Sequence, residues 1–121
     1  MAHPLAVTYH EPVEVAYGSW VERPRLLALH LGEIASFVAL VDNNGFTTAA
    51  RAMNLSQAAF SARILRLERA LGVTLVDRSV KRLTLTREGR AFQPLANSLL
   101  VMLSAVADSV DVHRTAGGAA S

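Results

Sequence analysis

Residues 49–71 read AARAMNLSQAAFSARILRLERAL, the pattern of a short helix, a tight break and a longer helix with its own cap. Ala49, Ala50 and Met53 are apolar at helical spacing, and Asn54 and Leu55 lead to Ser56, a residue type that caps helix N-termini. Beyond the cap, Phe60, Ile64, Leu67 and Leu71 recur at intervals of 4, 3 and 4, one face of a helix. At about 100° per residue the opposite face carries Ala58, Ala62, Leu65, Arg66 and Arg69, with Gln57 and Ser61 flanking its start. Two helices joined by about three residues, the second small and polar at its beginning, make a helix-turn-helix. Small residues there let a backbone approach a groove, and Gln57 and Ser61 can hydrogen-bond base edges or phosphates. The competing reading is an ordinary helical hairpin with a solvated face.

The flanking chain favours the first reading. Upstream, Leu31, Ile34, Phe37, Val38 and Val41 form one apolar stripe, predicting a helix from Leu31 to about Asn43. Asn43-Asn44-Gly45 is a turn signal that stops it, Phe46 is expected to pack beneath the turn, and Thr47 is an available cap for the next helix. Downstream, Gly72 ends the long helix, because glycine enters the left-handed region without a Cβ penalty. Val73–Val76 and Leu83–Leu85 are short β-prone runs around a basic link, predicting a two-stranded wing with Arg78, Lys81 and Arg82 at its tip, aimed at phosphate.

Thr86 reads as a further N-cap. From there to about His113 the pattern is helical, with Pro94 weakening or kinking the first turns. Phe92, Ala96, Leu99, Leu103, Val106 and Val110 are spaced 4, 3, 4, 3 and 4, an a/d seam. Such a helix is roughly 40 Å long, more than so small a body can cover, so the seam predicts a homodimer. Residues 116–121 are expected to form a flexible tail. No apolar run approaches the roughly 18 residues of a membrane span, and no membrane partner is expected.

The first 28 residues hold Pro4, Pro12 and Pro24 and resist a long helix. Leu5, Val7, Tyr9 and Val13, Val15, Tyr17 alternate like two short strands, unless the segment is an arm pinned by Trp20. The start lacks the regions of a signal peptide, so a cytoplasmic protein is expected. Without cysteine there is no disulfide or thiolate zinc site. The net charge of +2 hides an asymmetry: residues 51–90 carry nine Lys and Arg against three acidic residues, a local +6. That is the footprint of a polyanion ligand. Enzyme chemistry finds no support: His3, His10, His30 and His113 are scattered, and there is no glycine-rich phosphate loop. Glu68 reads as an intradomain ion-pair partner rather than a catalytic acid.

These residues carry a resemblance. FVALVDNNGFTTAARAMNLSQAAFSARILRLERALGVTLVDRSVKRLTLTREG, residues 37–89, is similar to the N-terminal winged helix-turn-helix of LysR-type transcriptional regulators. Ala49-Ala50, Leu55-Ser56-Gln57, Ser61, Ile64, Leu67-Glu68, Leu71-Gly72, Leu75, Arg78, Leu85-Thr86 and Gly89 stand where that pattern wants them. It departs at Ala58 (customarily proline), Ala62 (often arginine, here displaced to Arg63), Gly45 (serine) and Val76 (phenylalanine). The resemblance implies major-groove contacts from Gln57, Ala58, Ser61 and Ala62, a reach from the wing at Lys81, and dimerisation through residues 87–113.

The expectation is a mainly α protein: a winged helix-turn-helix of three helices and a two-stranded wing, then a long dimerisation helix. Residues 1–28 would be an extension, 29–89 the DNA-binding domain, 90–115 the linker helix and 116–121 the tail. The DNA-facing candidates are Thr47, Ser56, Gln57, Ala58, Ser61, Ala62, Arg63, Arg66, Arg78, Lys81 and Arg82. The partner is double-stranded DNA, no cofactor, metal or small-molecule site is implied, and the family's effector-binding domain is not expected. The alternative is a coiled-coil module that pairs with other regulators.

Overall fold

A computed structural model describes residues 22–120, with side chains through residue 111. The expected strands near Glu11-Pro12 and the Trp20 anchor lie outside the described residues. A single 3-10 turn, Pro24–Ala28, precedes helix α1 at Leu31–Asp42, α2 at Phe46–Ala52, α3 at Gln57–Leu71 and α4 at Arg87–Ala120. The chain is mainly helical, and α1 lies against α2, α3 and the start of α4.

The turns follow from residue type. Asn44 and Asn54 hold positive φ, 55° and 57°, in the two turns that bound α2. Asparagine tolerates this region because its short side chain can bond locally. Gly45, not Thr47, occupies the cap position of α2 without a side-chain bond, and Thr47 lies in the first turn. Ser56 caps α3 as the sequence suggests, its Oγ accepting from the Ala59 N–H at 3.1 Å. Gly72 ends α3 at φ 75°.

The core joins Ile34, Phe37 and Leu40 of α1 to Ala49, Ala50, Phe60, Ile64, Leu67, Leu75, Val76 and Ala96. The expected stripe on α1 shifts: Leu40 is fully buried, Val41 half-buried and Leu31 44% exposed. Leu31 is the first residue of the helix, whereas Leu40 lies in the core cluster. Phe46 stands edge-on to Phe60 with centroids 5.9 Å apart.

The wing is slighter than two full strands. Its β pairing is the one antiparallel bridge Val76–Leu85, supported by the Asp77 N–H to the Thr84 carbonyl at 2.8 Å and the Thr86 N–H to the Leu75 carbonyl at 2.9 Å. Glu68 takes the place of further pairing: its Oε2 accepts from the Leu75 N–H at 2.7 Å and the Val76 N–H at 3.2 Å. The Leu75 donor that a longer ladder would occupy is thus tied to α3.

Thr86 Oγ1 caps α4, accepting from the Gly89 N–H at 3.0 Å. The helix runs to Ala120, through the positions expected to form a tail. Gly117 and Gly118 lower helix propensity by about 1 kcal/mol each without ending it, flanked as they are by alanines. The seam divides. Ala96 is buried in the core and Phe92 stacks obliquely on Phe37 at 5.3 Å, so these two serve their own domain rather than an exposed interface. Leu99, Leu103, Val106 and Val110 remain 41–56% exposed. Arg87–Asp111 is long and apolar enough to cross a membrane by length and composition alone. The sequence reading missed this because Gln93, Asn97, Ser98 and Ser104 break the apolar run without adding charge.

Candidate nucleic-acid interface

The start of α3, the start of α2 and the wing enclose an open cleft of about 550 Å³. Gln57 and Ser61 line it from α3, Phe46 from α2, and Lys81 and Arg82 from the wing. Capping by Ser56 fixes where α3 begins, and so fixes Gln57 as its first residue. The Glu68 anchor sets the wing against the other side. Within the wing, Asp77 Oδ1 accepts from Ser79 Oγ at 2.6 Å and from the Ser79 N–H at 3.0 Å. These two bonds hold the Asp77 carboxyl below its ordinary pKa and shape the loop that carries Lys81 and Arg82.

The eleven candidates separate into three groups. Gln57 and Ser61 line the cleft with Lys81 and Arg82, both cations exposed. Ala58 is exposed and Ala62 half-buried, while Thr47 is exposed and donates its hydroxyl to Gln57 Oε1 at 3.2 Å. The third group is turned to the protein itself. Ser56 commits its hydroxyl oxygen to the cap. Arg63 Nη1 donates to the Gly32 carbonyl at 3.2 Å and contacts Ser36 Oγ at 3.4 Å, which fastens α3 to α1. Arg66 Nε pairs at 3.0 Å with Glu33, whose side chain is only 5% exposed.

Arg78 borders the cleft, but its Nη1 donates to both Glu68 oxygens, at 3.1 and 3.2 Å, and its guanidinium lies 5.9 Å from the Phe46 ring centroid. Arg63, Arg66 and Arg78, expected at the groove, are thus engaged within the domain in this structure. Helical spacing places Arg63 and Arg66 on the flank toward α1, and Arg78 neutralises the carboxylate that anchors the wing. Glu68 is the intradomain partner the sequence suggested. What sequence reasoning missed is the Thr47–Gln57 bond, because no periodicity relates side chains on two different helices.

Residues 31–90 match the bacterial regulatory helix-turn-helix proteins of the lysR family. The solved complex of the BenM DBD with catB site 1 DNA is 30% identical, and 67–69% coverage of this chain is typical of such matches; here 69% of this chain and 93% of that one superpose with a TM-score of 0.65. The chain belongs to the LysR family. The matched part is the winged helix-turn-helix of that family. Vibrio fischeri DarR, solved in complex with DNA, is 32% identical with a TM-score of 0.67, covering 69% of this chain and 28% of its own. The HTH-type transcriptional regulator PtxR of Pseudomonas aeruginosa is 37% identical over 95 residues, 78% of this chain. The chain spans only 30% of PtxR's length.

Proposed function

We propose that this LysR-family chain binds duplex DNA as a two-fold dimer, presenting the cleft between α3 and the wing to the groove. Gln57 and Ser61 read base edges, while Lys81 and Arg82 neutralise phosphates beside them. The supporting observation is the sorting of cations. Arg63, Arg66 and Arg78 are engaged with Gly32, Glu33 and Glu68, whereas Lys81 and Arg82 stand exposed on the cleft that holds Gln57 and Ser61. Complexes of DarR and of the BenM DBD with DNA support the same partner for a chain of this fold.

The dimer reading rests on α4. Leu99, Leu103, Val106 and Val110 continue the seam past the core as an exposed apolar stripe, which a second copy of the same helix would cover. A protein partner fits better than a bilayer, because Arg87, Glu88 and Arg90 open the helix and its first turns are packed on the winged domain.

Binding to a random-sequence duplex, followed by anisotropy across a salt series, tests the reading. A dimer that neutralises about 6–10 phosphates gives a slope of log K against log salt of roughly −5 to −9. A slope near zero would show that DNA is not the ligand.

A further inference from the structure

Resting on the DNA reading above, the geometry points to Thr47 as the residue that fixes which end of the Gln57 amide faces the DNA, and hence which base edge Gln57 accepts. Thr47 lies in the first turn of α2 and Gln57 is the first residue of α3, ten positions on, yet Thr47 Oγ1 donates to Gln57 Oε1 at 3.2 Å. A glutamine amide offers a carbonyl acceptor on one side and two N–H donors on the other, and without a neighbour it flips between the two presentations. Here the hydroxyl engages the carbonyl. The end that remains fully available is the Nε2 donor pair, which therefore selects a base carrying acceptors.

In the major groove guanine carries two adjacent acceptors, O6 and N7, whereas cytosine presents only its N4 amino donor. Adenine's paired contact needs the Gln57 carbonyl and amine together, and the carbonyl is already shared with Thr47. Gln57 is thus assigned to an acceptor edge, guanine first. Thr47 itself touches no base; it is a positioning residue. In solution the bond is exposed and weak, but a closing DNA surface removes competing water and strengthens it where orientation matters.

The test compares base preference at each position of a selected duplex for the wild type, Gln57→Ala, Thr47→Val, Thr47→Ser and Gln57→Glu. Loss of preference in Gln57→Ala locates the base pair that this residue reads. Thr47→Val keeps the shape but removes the donor, so discrimination at that one pair falls about fivefold, the weight of one neutral hydrogen bond. Thr47→Ser retains it. Gln57→Glu, an acceptor only, moves the preference to the base with a donor, cytosine.

If Thr47→Val leaves that pair's preference unchanged, or if wild-type Gln57 prefers an A·T pair there, the assignment is overturned. The DNA reading would survive, because affinity and its salt dependence stay as in the wild type. Failure of the wild type to bind any duplex would instead remove the reading on which the assignment rests.

Discussion

Gly89 shows how closely α4 is set against the wing. A Cβ built there would run into the carbonyl oxygen of Leu75, and a backbone atom cannot swing away. Gly89→Ala should destabilise the domain by about 1–3 kcal/mol, the range for forced overpacking, as read by urea denaturation. Glu68→Ala strips the acceptor from two buried backbone N–H groups and leaves Arg78 without its partner. The expected loss is about 2–4 kcal/mol, with the wing displaced. Lys81→Ala, at an exposed position that holds nothing in place, should leave the denaturation midpoint within about 0.5 kcal/mol of the wild type. A Glu68→Ala variant as stable as Lys81→Ala would contradict the anchoring role.

At the scale of elements, the wing depends on a bridge, the Glu68 anchor and the Asp77–Ser79 turn. The depressed folded pKa of Asp77 gives the sign of its pH dependence. Its contribution is complete above the ordinary carboxylate range and is lost as pH falls through the folded value. Ser79→Ala should return the Asp77 titration upward toward that of a free aspartate, which carboxyl chemical shifts followed through a pH series would record. The helices were legible in the sequence because their signals are local: a cap at Ser56, a stop at Gly72, and apolar residues every three or four positions. The wing was half legible, since Val73–Val76 and Leu83–Leu85 promise strands but cannot reveal that a glutamate on α3 takes over much of the pairing. The intradomain partners of Arg63, Arg66 and Arg78 were hidden for the same reason, as they lie 31, 33 and 10 residues away.

For the whole molecule, α4 is split between the core and an exposed apolar stripe. Phe92 and Ala96 hold the helix to the body, and Leu99 to Val110 carry the apolar stripe onward. Leu99→Asp with Leu103→Asp places charge in that stripe without touching the core. The winged domain should keep its circular dichroism while sedimentation reports a monomer, and affinity for a paired site should fall as the second half-site is no longer bound intramolecularly. A variant that stays dimeric would place the contact elsewhere. The central claim, that the wing cations and not those beside α1 meet the phosphates, is tested most directly by comparing salt slopes. Lys81→Ala with Arg82→Ala removes two phosphate contacts per protomer and should make the slope shallower by roughly 3–4, at about 0.9 per contact in a dimer. Arg66→Ala should leave it as in the wild type. A slope unchanged by the wing pair but flattened by Arg66→Ala would contradict the account.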